Sequence, residues 1–60
     1  MKPSWDDAPE WAAWLALDPD GSWFWFEREP VWDTRWDNLK GRYEYAGSQP
    51  SSYESLEGRP

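Results

Sequence analysis

Apolar and polar positions alternate most clearly over residues 22–29, where Trp23, Trp25 and Glu27 point one way and Phe24, Phe26 and Arg28 the other. This period of two predicts a strand. Both faces begin aromatic and turn polar only at the end, the pattern of a strand central in a fold or forming half of an interface. Pro30 ends it, because proline has no N–H for a ladder. A second strand is predicted over 42–46, with Tyr43 and Tyr45 on one face and Arg42, Glu44 and Ala46 on the other. The intervening residues 31–37 fit either a strand over 31–36 or a helical turn. Both readings bring Trp32 and Trp36 together, as same-face strand residues or as i,i+4 neighbours. Asp37 to Gly41 is turn-like.

Before the first strand the period changes. Ala8, Trp11, Ala12 and Leu15 recur at helical spacing, with Trp14 beside them. Asp7 and Glu10 have the spacing of a capping box, and Pro9 falls in the first turn, where its missing N–H costs little. Asp6 and Asp7 suit the positive end of a helix dipole. Asp18 precedes Pro19 and is biased away from helix, and Asp20-Gly21 reads as a turn. The pattern predicts a helix over roughly 8–17, too short to be stable alone. Its stripe would lie on the sheet, with the two alanines allowing close approach.

Residues 47–60 carry just two large apolar residues, Tyr53 and Leu56, among Gly, Pro and Ser. So little apolar surface does not offset the entropy of ordering, and a flexible tail is predicted. The expectation is thus one small Trp-rich domain over 1–46, followed by a mobile segment. Its fold class is α+β: one N-terminal helix packed on a small two- to three-stranded antiparallel sheet. The predicted core is Ala8, Trp11, Ala12, Leu15, Phe24, Phe26, Tyr43 and Tyr45.

Composition tightens this picture. A chain of 60 residues without Cys makes one small domain with no disulfide support. Its seven Trp, three Tyr and two Phe are the available core material, and a body this small cannot bury them all. Twelve acidic residues against six basic give a net charge of −6, which disfavours both a phosphate backbone and an anionic lipid surface as partner. No basic segment precedes an apolar run and no stretch is long enough to span a bilayer, so the expected location is cytoplasmic.

The residues offer little catalytic chemistry. With no Cys and no His, thiolate and Ser-His nucleophiles and the usual zinc ligands are absent. Asp18 and Asp20, and the cluster Asp6, Asp7 and Glu10, read as turn and cap residues rather than an acid/base pair, which needs a cleft. Asp18-Pro19-Asp20-Gly21-Ser22 misplaces the glycine of a calcium loop. No cofactor, metal or catalytic residue is expected.

Trp32, Trp36, Arg35 and Arg42 have the residue types of a stacking platform for single strands, but residues 21–46 carry five acids against four bases. A cage for a cation on Trp23, Trp25 and Glu27 competes with simple core packing. Trp and Arg are the types that dominate protein hot spots, and an acidic frame suits a basic surface on the partner. The predicted binding residues are Trp23, Trp25, Trp32, Trp36 and Arg35. The competing reading is a homodimer whose contact absorbs the surplus Trp.

The string Trp5-x-x-Ala8-Pro9-x-Trp11-Ala12, then Asp18-x-x-Gly21-x-Trp23-x-Trp25-Phe26-Glu27 and Pro30, resembles a family of short Trp-rich proteins of tailed bacteriophages and prophages. The resemblance covers roughly residues 5–30 and implies a host bacterial cytoplasm and an accessory role such as modulation of a host protein. It implies no catalytic or ligand residues.

Overall fold

A computed structural model describes residues 2–34, 36–37, 40–50 and 53–60. Six strands form: β1 (Trp14–Leu17), β2 (Ser22–Phe26), β3 (Val31–Trp32), β4 (Trp36–Asp37), β5 (Tyr43–Ser48) and β6 (Ser55–Gly58). Four of them make an antiparallel sheet in the order β5-β2-β1-β6, and β3 and β4 make a separate two-stranded hairpin.

The α+β expectation is overturned. Among the described residues the helical element is a 3-10 turn at Trp5–Asp7, and the segment expected as helix ends in β1. The physical reason lies at Ala8-Pro9. A residue before proline is driven to extended backbone, and Ala8 sits at φ −70°, ψ 142°. Asp7 and Glu10 therefore cap nothing. Ser4 is the N-cap, its hydroxyl accepting from the Asp6 N–H at 3.1 Å, while Asp7 lies inside the turn and Glu10 is exposed beyond it. Trp14 to Leu17 is an unbroken apolar run, as a strand buried on both faces requires, and it occupies an inner position in the sheet.

β1 and β2 form a tight hairpin through Asp18 to Gly21. The Gly21 N–H donates to the Asp18 carbonyl at 2.9 Å, and the Ser22 N–H to the Asp20 carboxylate at 2.9 Å. Gly21 has φ 92°, a conformation that favours glycine. β2 and β5 pair across the long connection, as their alternation suggests, although β2 stops at Phe26 rather than Glu29. The register shifts between Trp23 and Phe24, and Ala46 turns inward at this bulge to pack on the core.

The flexible-tail expectation for 47–60 is also corrected where the chain is described. β5 runs on to Ser48, and β6 pairs with β1, Leu56 opposite Ala16 and Glu57 opposite Leu15.

Residues directly opposite across strands share a face. Leu15, Leu17, Trp23 and Trp25 therefore line one side of the sheet. With Ala12 they form the buried core, and Trp5, Ala8, Trp11 and Ala46 pack against it. The N-terminal segment thus covers this face as an irregular layer instead of a helix. The Trp5 and Trp25 rings meet at 4.9 Å. Arg59, just past β6, ties the layer down by donating to the Pro9 and Ala12 carbonyls at 3.0 and 2.6 Å. Its guanidinium lies over the Trp5 ring at 5.5 Å, and that of Arg42 over Trp11 at 5.3 Å.

Candidate functional site

The opposite side of the sheet carries Phe24 and Phe26 on β2 with Tyr45 and Tyr43 directly across from them on β5. These four rings form one cluster. Phe24 lies 5.8 Å from Tyr45, edge-on, and 6.4 Å from Tyr43, while Phe26 stacks on Tyr43 at 6.3 Å. Phe26 is buried and Phe24 half-buried, but Tyr43 and Tyr45 are 61% and 57% exposed. The two tyrosines expected in the core are therefore surface residues. β5 is an edge strand, and among the described residues no second layer covers them as the N-terminal segment covers the tryptophans.

The correction runs the other way for Trp23 and Trp25. Both were expected at a binding surface, and both are core residues, 4% and 3% exposed. The Trp23 indole N–H is satisfied there by the Gln49 side-chain oxygen at 3.0 Å. Ala12 and Leu15 are in the core as expected, with Ala8 and Trp11 packed against it.

Trp32 and Trp36 do come together. They are cross-strand partners in the β3–β4 hairpin, ring centroids 5.1 Å apart and edge-on. Trp32 is 42% exposed and Val31 48%, so this pair adds an apolar ridge to the surface. Arg35, the remaining predicted binding residue, lies outside the described residues. The ridge is anchored at one end by Asp18, a buried residue whose carboxylate accepts from the Trp36 main-chain N–H at 2.9 Å. Between the hairpin and the sheet opens a cleft of about 310 Å³ lined by Asp18, Pro19, Asp20, Phe24 and Thr34. Thr34 holds φ 60°, a left-handed conformation uncommon for a branched residue, at the tip of this hairpin.

Glu27 and Glu57 are held below the usual carboxylate range, and both fasten structure. Glu27 accepts first from the Arg42 main-chain N–H and then from its guanidinium, closing the start of β5 onto the end of β2. Glu57 is held down first by the Lys2 ammonium, 2.7 Å away; burial opposes this, and the Trp5 indole N–H, also at 2.7 Å, adds to the lowering. Neither lies in the cleft. Among the described residues no group of three or more acidic side chains gathers as a metal site would need, and no helix is long and apolar enough to cross a membrane.

No protein-family model, curated protein or solved structure matches this chain. The geometry alone therefore characterises the site: an exposed aromatic cluster, consistent with a protein-binding surface.

Proposed function

We propose that this chain is an acidic accessory protein that binds another protein through the Phe24, Tyr43 and Tyr45 cluster and the neighbouring Trp32. The observation that carries the reading is the exposure of Tyr43 and Tyr45 around a half-buried Phe24 on an edge strand. Tyrosine and tryptophan offer large, rigid contact area at low entropic cost, and they dominate binding hot spots. The reading is binding rather than catalysis, and Glu27 and Glu57, both held below the ordinary carboxylate range, fasten structure and lie away from the cleft. Asp20, exposed beside Phe24, gives the cleft end of the face negative charge, in a chain of net charge −6, which favours a basic partner. A phage setting, in which the target is a host or phage protein and binding inhibits it, rests on the Trp5-to-Pro30 sequence pattern alone.

The test is affinity capture from a bacterial lysate with the wild-type chain and with Tyr45→Ala and Trp32→Ala. A protein held stoichiometrically by the wild type and lost from both variants, with both variants still folded by near-UV circular dichroism, supports the reading. Retention undiminished by either substitution refutes it.

A further inference from the structure

We propose that the outer edge of β5 receives an extended segment of the partner protein with an apolar–basic–apolar triplet, its basic residue beside Glu44 and its apolar residues beside Tyr43 and Tyr45. The inference deepens the binding reading above and rests on it. It starts from hydrogen-bond parity. The Glu27 N–H donates to the Arg42 carbonyl at 2.9 Å, and the Gln49 N–H to the Gly21 carbonyl at 2.8 Å. These two bonds frame the β2–β5 ladder, and antiparallel pairing alternates between bonded and non-bonded pairs. Counting inward from Arg42, Glu44 exchanges its main-chain bonds with Trp25. Tyr43 and Tyr45 then turn their N–H and C=O groups away from β2, toward the open edge. Among the described residues no strand pairs there. The usable stretch is short, because the bulge at Ala46 and the φ of 120° at Gly47 bend the strand beyond Tyr45. Three residues make the footprint.

The side chains select the occupant. On one face an added strand meets the exposed Tyr43 and Tyr45 rings, which suit apolar residues. On the other it meets Glu44, an exposed carboxylate that makes no ion pair among the described residues. Glu44 stands at a non-bonded position of the new ladder, where opposing Cα atoms approach to about 4.5 Å. A Lys or Arg there pairs with it. Arg42, two residues earlier on the same face, is turned inward to Glu27 and Trp11 and leaves the position open.

The same geometry disfavours a second copy of this chain. The register that uses every outward group sets Tyr43 against the other copy's Tyr45 and therefore Glu44 against Glu44. Like charges directly opposite are destabilising. The register that sets Tyr43 against Tyr43 would pair Arg42 with Glu44, but it runs next into Gly41, whose φ of 89° breaks the strand.

The experiment is selection of a displayed library of random peptides on the intact wild-type chain and on Glu44→Lys. Glu44 is exposed and makes no ion pair among the described residues, so the variant keeps the fold, checked by near-UV circular dichroism. The expected wild-type consensus is Lys or Arg between apolar residues, and the variant switches the central residue to Asp or Glu. A synthetic peptide from the wild-type selection should slow amide exchange at Tyr43 and Tyr45. It should bind Glu44→Lys about tenfold more weakly, an attractive pair being replaced by a repulsive one. An empty selection overturns the proposal, as does a consensus indifferent to the charge at position 44, or binding that leaves both tyrosine amides unprotected. Peptides that need the Tyr43 and Tyr45 rings but ignore Glu44 overturn strand addition and leave the aromatic-face reading standing. Peptides indifferent to the rings as well overturn both. A wild-type chain that dimerises and is dissociated by the peptide would identify a second copy as the occupant and also overturn it.

Discussion

The two faces of β2 begin with equal aromatic content, yet only one of them is buried along its length. Trp23 and Trp25 are buried, and the ring N–H groups of Trp23 and the overlying Trp5 each reach a side-chain oxygen. On the other face Phe26 is buried too, but Phe24 is half-buried, with Tyr43 and Tyr45 open beside it. Intrinsic hydrophobicity does not explain the difference. What separates the faces is whether a second layer can reach them. On the tryptophan face the N-terminal segment brings small residues, Ala8 and Ala12, alongside the Trp5 and Trp11 rings that pack on the core, and Arg59 holds its carbonyls. On the tyrosine face the β3–β4 hairpin is tied back at the Asp18 end, and among the described residues no strand pairs with the outer edge of β5.

The comparison breaks most sharply by truncating one ring on each face. Trp25→Ala removes a fully packed indole and should cost about 3–5 kcal/mol, which is comparable to the whole stability expected of a small domain. Tyr45→Ala removes an exposed ring with cross-strand contact and should cost about 0.2–1 kcal/mol. Urea unfolding of the two variants checks this. Similar losses from both would mean that the tyrosine face is structural core rather than an available surface.

A second substitution sharpens the contrast within the tyrosine side. The hairpin hangs on the bond from the Trp36 N–H to Asp18, while the buried Trp36 indole N–H finds no partner among the described residues. Asp18→Ala leaves the main-chain N–H unmet too, a loss of about 1–3 kcal/mol for a buried donor. The expected result is faster amide exchange at Trp32 and Trp36, with the core amides of Leu15 and Trp25 slowed as in the wild type. Equal acceleration everywhere would show that hairpin and sheet unfold as one unit.

Much of the sheet was legible where local pattern and tertiary outcome agree. Alternation placed Trp23 and Trp25 opposite Phe24 and Phe26, set Tyr43 with Tyr45, and joined Trp32 to Trp36. β1 was misread because Ala8, Trp11, Ala12 and Leu15 mimic a helical stripe behind a capping-box spacing. The opposing signals were the extended preference imposed on Ala8 by Pro9 and the unbroken run from Trp14 to Leu17, a strand that needs no alternation once both sides are covered. β6 was illegible locally. Its order comes from partners about fifty residues away, since Glu57 meets Lys2 and Trp5 and the Arg59 N–H meets the Ala13 carbonyl. Which aromatic face becomes the surface was hidden for the same reason: the covering layer is non-local.

The smallest expected effect distinguishes the faces by acidity. Glu57, on the Leu15 side of the sheet, fastens the layer over the tryptophans, and its folded pKa lies below the ordinary value of 4.5, chiefly because of Lys2, with Trp5 adding to it against the opposing effect of burial. A carboxylate whose folded pKa is depressed contributes fully above its unfolded pKa and loses that contribution as pH falls through the folded value. Glu27, depressed first by the Arg42 main-chain N–H and then by its guanidinium, follows the same sign. Stability should therefore decline as pH drops below the ordinary carboxylate range of about 4 to 4.5. Both side chains are partly exposed, so the decline is shallow and weakens further in salt. Glu57→Gln keeps an oxygen for the Trp5 N–H but cannot ionise, so its urea midpoint should fall less on acidification than that of the wild type. A variant with the full wild-type acid dependence would remove Glu57 from the account and shift the acid-sensitive fastening to Glu27, at the junction of β2 and β5 beside the open face.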